Sequence, residues 1–115
     1  MEDTPASELN GRAGDVVALA EADHTLVILH GDIDLRSTED LEFAGRFSLD
    51  AARSTIMDVR QVTMIDSVGL SFVIRLAAGL RTLGTELVLL GPCSRIAELL
   101  TLVGADHLVR WTTSP

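Results

Sequence analysis

Lysine is missing from this chain: all nine basic residues are arginine. That absence removes a Walker-type phosphate loop, which reaches its phosphates with a lysine, along with Schiff-base chemistry and a serine–lysine dyad. Tyrosine is missing too, and three phenylalanines and one tryptophan are the only aromatics. With 47% of its residues apolar, the chain must build its core from Leu, Val, Ile and Ala. Cys93 is the single cysteine, which excludes an intrachain disulfide and any multi-cysteine metal site. Following an apolar strand, it reads as a small half-buried residue. No apolar stretch nears the roughly 20 residues that cross a bilayer. The opening MEDTPASELNG is acidic and polar, unlike a basic segment followed by an apolar run. The expectation is a cytoplasmic protein with neither a secretory signal nor a membrane span.

What is present is acid. The net charge is −8 and the pI about 4.6, which argues against nucleic-acid backbones and anionic membrane surfaces as partners. A length of 115 residues suits one domain with a substantial core. Residues 1–13 mix Pro, Ser, Asn, Gly and acids and read as a flexible tail, leaving 14–115 as the domain.

Val16–Ala20 and His24–His30 are apolar runs separated by a short turn and predict an antiparallel hairpin. Gly31-Asp32-Ile33-Asp34 ends the second strand. Ser37 reads as an N-cap, with Glu39 and Asp40 in the first turn of a helix over Thr38–Arg53. Leu41, Ala44, Phe47 and Leu49 are its apolar stripe. Thr55–Val59 predicts a central strand covered on both faces, followed by a short turn. Phe72, Val73, Leu76, Ala77, Leu80 and Leu83 then recur at helical spacing, with Ser71, Arg75 and Thr82 opposite, and Gly84 ends that helix. Glu86–Leu90 is a buried strand. Ser94–Leu102 is a third helix with Ile96, Leu99, Leu100 and Val103 inward, and His107–Trp111 a last strand. The order β-β-α-β-α-β-α-β implies a mixed, mostly parallel α/β sheet of about five strands with three helices.

The candidate site is the start of the second helix, at Asp66-Ser67-Val68-Gly69. The first N–H groups of a helix have no intrahelical partner, so a phosphoryl group on Ser67 would be favoured there. Helix capping alone also accounts for an Asp-Ser pair. Gly69, however, costs about 1 kcal/mol of helix propensity relative to Ala, which suggests a surface that something approaches. A nucleophile elbow is the competing chemistry, but Ile65 stands where such a turn needs glycine, and the only later acid–histidine pair is Asp106-His107. Asp32 and Asp34, spaced i, i+2, could hold a divalent cation, although nothing nearby completes the set. Both should share a sheet edge with Ser67, because sites in parallel sheets lie beyond strand carboxyl ends. His24, His30 and His107 have no ligand spacing. The contact surface expected from that edge and helix face comprises Asp32, Asp34, Asp66, Ser67, Val68, Gly69, Ser71 and Arg75, with no catalytic, metal or cofactor residue.

Gly31-Asp32-Ile33-Asp34 with Ser37, the run Met57-Asp58-Val59 through Val62-Thr63-Met64-Ile65-Asp66-Ser67-Val68-Gly69-Leu70, and Leu87–Pro92 with Leu99–Asp106 resemble the STAS family. Within it, they resemble stand-alone bacterial anti-sigma factor antagonists over about Asp15–Trp111. The resemblance implies partner switching without catalysis by this chain. Unphosphorylated, it would bind an anti-sigma factor that is also a serine kinase. That kinase, using its own ATP, would phosphorylate Ser67 and end the association, and a PP2C-type phosphatase would restore it. Met64 stands where relatives often carry Phe, and Val68 where many carry a second hydroxyl. The resemblance also admits a non-switching accessory subunit of a transporter or signalling assembly, such as an ABC-type lipid transporter.

Overall fold

The computed structural model describes residues 14–114; the tail expected over residues 1–13 lies outside them. The elements run β1 (Asp15–Ala20), β2 (Thr25–Ile33), a 3-10 turn (Leu35–Ser37), α1 (Thr38–Ala51) and β3 (Thr55–Ile65). Then follow α2 (Ser67–Thr82), β4 (Leu87–Leu90), α3 (Ser94–Leu102), a second 3-10 turn (Asp106–Leu108) and β5 (Val109–Thr112). One five-stranded sheet has the order β1-β2-β3-β4-β5. β1 is antiparallel to β2, and every other neighbouring pair is parallel. This is the mixed, mostly parallel α/β sheet with an opening hairpin that the pattern predicts.

Each parallel strand is added on the same side of the last, so right-handed crossovers bring all three helices to one face. Val27, Leu29, Met57, Val59, Leu87 and Leu89 point to that face and share one core with Phe72, Leu76, Leu80, Ile96 and Leu100. Their neighbours Leu26, Ile28 and Ile56 alternate to the other face and are only half-buried. β3 is therefore not covered equally on both sides as its apolar run suggested. The run is continuous because Ile56 lies between two apolar neighbours of the second face, half-buried Leu26 and buried Val88.

Other expectations shift for local reasons. β3 does not stop at Val59 but continues to Ile65, while β2 continues to Ile33. These extensions pair with one another through two register shifts, between Ile28 and His30 and between Gly31 and Asp32. Irregular pairing of this kind breaks the simple alternation by which a strand is read. Gly31 adopts a φ of 84° there, open to glycine and strained for most other residues. α1 ends at Ala51, with Ala52 in the left-handed region, two residues before the expected Arg53. Ser48, not Phe47 or Leu49, is its third fully buried position. Leu83 and Val103 cap their helices and are about half exposed, at 50% and 53%. Asp106–Leu108 is a 3-10 turn, so β5 begins at Val109 rather than His107. Cys93 is half-buried, and Trp111 packs against the core from its rim.

Candidate functional site

The carboxyl ends of the parallel strands lie along one edge, and two backbone hydrogen bonds organise its first half. Asp66 N–H donates to the Ile33 carbonyl at 3.1 Å, and Gly14 N–H donates to the Asp32 carbonyl at 2.7 Å. The residues following β2 and β3 are thus held side by side. A Cβ on Gly14 would collide with the His30 carbonyl oxygen, so the entry to β1 is packed directly on the β2 backbone.

Asp66 is the N-cap of α2. Its Oδ1 accepts from Val68 N–H at 2.9 Å and Gly69 N–H at 3.3 Å. Two of the orphan donors that make a helix start attractive to anions are therefore already occupied by this carboxylate. Ser67, the first residue of the helix, is exposed beside it. A phosphoryl group on Ser67 would stand next to the Asp66 carboxylate and face outward, instead of filling a vacant cradle. This corrects the electrostatic expectation drawn from the sequence.

Gly69 is corrected as well. It is buried, and an added Cβ would lie 2.6 Å from Ile65 Cγ1 and 2.9 Å from Ile33 Cγ2. The close approach that this glycine permits is between α2 and the strand ends underneath, not between the domain and a partner. Val68 is half-buried against the core, while Ser71 and Arg75 are exposed further along the helix.

Asp32 and Asp34 do not act as a pair. Thr63 Oγ1 donates to Asp32 Oδ1 at 2.6 Å. Asp34 caps the 3-10 turn by accepting from Arg36 N–H at 2.9 Å, and its Oδ2 lies 2.9 Å from Arg36 Nη2. Hydrogen bonding from the Arg36 guanidinium holds the Asp34 carboxyl below its ordinary pKa. Each carboxylate is thus engaged by a different element. Among the described residues, no group of three His, Cys, Asp or Glu side chains is arranged to hold a metal ion. Ser37 is fully buried and makes no side-chain capping bond to α1. Its hydroxyl instead accepts from Asp34 N–H at 3.4 Å.

Thr63 is the residue of this edge that pattern reading misses. It lies where the β2–β3 register shifts, so its alignment with Asp32 is invisible to spacing. The histidines lie elsewhere. His24 bonds Asp23 at 2.8 Å, and His30 is exposed beside Asp15. Arg81 Nη1 reaches the His107 carbonyl at 3.2 Å, which puts Asp106-His107 at the end of α2 opposite Ser67. Fifteen residues of helix separate the two ends, roughly 20 Å, so His107 is no base for Ser67.

The family described as "Mlab, STAS domain" matches residues 17–110. No curated protein matches by sequence. Among solved structures, the unphosphorylated anti-sigma factor antagonist SpoIIAA superposes with a TM-score of 0.71 at 14% identity, covering 87% of this chain and 90% of its own. The phosphorylated form of SpoIIAA, a Bacillus cell fate determinant, gives 0.68 at 15% identity over 89% and 93%. An anti-sigma factor antagonist from Mycobacterium paratuberculosis gives 0.70 at 21% identity over 89% and 87%. At these identities the likeness is one of fold.

Proposed function

This chain belongs to the STAS domain family, and from that premise we propose that it is an anti-sigma factor antagonist working by partner switching. Unphosphorylated, it binds an anti-sigma factor that is also a serine kinase. Transfer of phosphate from the kinase's ATP to Ser67 ends the association, and a PP2C-type phosphatase resets it. The contact surface comprises Asp32, Asp34, Asp66, Ser67, Val68, Ser71 and Arg75. The chain itself is substrate and ligand, and its net acidity disfavours nucleic acid or an anionic membrane as partner.

The observation that carries this reading is an exposed Ser67 immediately after a carboxylate that already caps the helix. SpoIIAA, whose fold this chain shares, is known in both phosphorylated and unphosphorylated forms. A phosphate adds about −1.5 to −2 charges. With Asp66 already on the helix N–H groups, those charges accumulate outward with Asp66 and Asp32 and meet the partner. Like charges brought together at an interface cost several kcal/mol, whereas a tenfold loss of affinity needs only about 1.4 kcal/mol. One phosphate is therefore sufficient to release a tight complex while the core beneath stays packed.

The test is intact-mass analysis after incubation with the cognate kinase and ATP, with the modified residue mapped by fragmentation. One phosphoryl group on Ser67 is expected, and its absence from Ser67→Ala. Phosphate mapped to another residue sinks the assignment. No modification at all favours the second reading, a non-switching accessory subunit of a transporter or signalling assembly, for which Ser67 is only a contact.

A further inference from the structure

A shallow apolar groove runs along the outer side of the seam between α1 and α2. Two glycines bring these helices together. A Cβ on Gly45 would stand 3.3 Å from the Phe72 ring, and one on Gly79 would stand 2.9 Å from Leu49 Cδ2. Above that contact remains a groove of about 210 Å³, with Leu49, Phe72 and Leu76 in its floor and Glu42, Arg46 and Arg75 at its rim. Small-molecule sites start at roughly 300 Å³, so this groove suits one protruding side chain better than a cofactor.

The rim charges decide what that side chain should carry beside it. Arg36, Arg60 and Arg110 are bound to Asp34, Asp58 and Glu86. Arg53 and Arg81 donate to backbone carbonyls. Among the described residues, Arg46 and Arg75 are in no ion pair. Arg75 gives only its Nε, at 3.4 Å, to the Ser71 carbonyl of its own helix. Glu42 lies one turn before Arg46 without pairing to it. On a chain of net charge −8, two guanidinium groups against the single Glu42 carboxylate leave the rim of this apolar floor net positive. Ser67, Ser71 and Arg75 follow one another at i, i+4 and i+8 along a single stripe of α2, about 12 Å from first to last.

We propose that this groove is a second contact with the switching partner and receives an acidic amphipathic segment, with an apolar side chain for the floor and carboxylates for Arg46 and Arg75. The proposal rests on the Ser67 reading only for the partner's identity; the chemistry of the segment follows from the groove. A second copy of this chain is the competing occupant.

The probe is a synthetic helical peptide with Leu and Glu at three- and four-residue spacing, titrated into the isotope-labelled protein and followed by NMR. Amide shifts should cluster at Gly45, Arg46, Phe72 and Arg75. Arg46→Glu combined with Arg75→Glu should weaken binding at least about tenfold, and exchanging the peptide's Glu for Lys should restore it. Arg95→Glu, on the exposed side of α3, should change nothing. Scattered shifts, indifference to the charge reversal, or the same shifts on concentrating the protein alone would overturn the proposal. A parallel arm measures binding of the cognate kinase. Undiminished kinase binding by Arg46→Glu alone, which leaves the Ser67 contact surface intact, refutes the groove and leaves the switch standing if Ser67 is still phosphorylated. Peptide binding at the groove without any modification of Ser67 does the reverse.

Discussion

Gly69 of α2 lies so close over Ile65 of β3 that a methyl group added to it would sit 2.6 Å from Ile65 Cγ1. Ile33, at the end of the neighbouring strand, closes the same space from the other side at 2.9 Å. The start of the helix that presents Ser67 is therefore seated directly on the two strand ends, and its height above the sheet is set by a missing side chain.

Gly69→Ala should destabilise the domain even though alanine is the better helix former by about 1 kcal/mol. Overpacking a full core costs typically 1–3 kcal/mol, about 2 at mid-range, and both obstructing groups are buried isoleucines. Urea denaturation should show a lower midpoint with an unchanged slope. A midpoint raised by the substitution would mean that the helix start rides up freely and that the seating is loose.

Ser67→Asp should separate binding from stability. The position is exposed and Asp66 keeps its capping bonds, so stability should change by no more than surface substitutions usually produce, about 0.5 kcal/mol. Kinase binding should weaken at least about tenfold, and Ser67→Ala should retain wild-type affinity while resisting modification. Calorimetric titration of the three proteins against the kinase reads this directly. Equal affinity of all three would remove the electrostatic basis of the switch.

Ser48→Ala should stabilise the protein. The Ser48 hydroxyl is fully buried in α1 and has no hydrogen-bond partner among the described residues, a defect that costs about 1–3 kcal/mol. Alanine removes the orphaned hydroxyl and favours the helix. Thermal unfolding should occur a few degrees higher, and a lower midpoint would point to a partner for the hydroxyl.

Asp58→Asn should change how stability depends on acid. Arg60 donates to Asp58 from its backbone at 3.1 Å, from Nε at 3.0 Å and from Nη2 at 2.8 Å. The side-chain hydrogen bonds from Arg60 chiefly hold the Asp58 carboxyl below its ordinary 3.8. A carboxylate with a lowered folded pKa contributes stability that is fully present above the unfolded value and lost as pH falls through the folded one. The guanidinium is nearly half exposed, so solvent screening keeps the contribution of the pair small. Wild type should therefore exceed Asp58→Asn in stability at neutral pH, with the difference lost as pH falls below the ordinary carboxylate range and through the lowered folded pKa. Unfolding curves across that range check it, and a constant difference would sink it.

Much of this was legible in the chain. The periodicity of Phe72, Val73, Leu76, Ala77 and Leu80 announces α2 and its buried face, because helix periodicity is a property of one segment. Asp66-Ser67 announces the helix start for the same reason, since a cap is satisfied within three residues. Leu83 and Val103 continue those periodic patterns past the point where the helices end, so periodicity overextends the buried stripe. Ser48 defeats the reading differently, as a polar residue in a core position that no hydrophobic pattern can register. The extension of β3 beyond Val59 was hidden because Arg60, Gln61 and Thr63 are polar and their pairing with β2 is irregular.

The chain by itself determined the order of the elements, the aliphatic composition of the core and the residue at the mouth of α2, since each depends on neighbours a few positions apart. Only the tertiary structure decided that Thr63 claims Asp32 and that Gly69 faces inward. It alone brought Arg46 and Arg75 to one groove. These outcomes depend on strand register, helix height and the packing of segments some 30 residues apart, which local chemistry constrains without specifying.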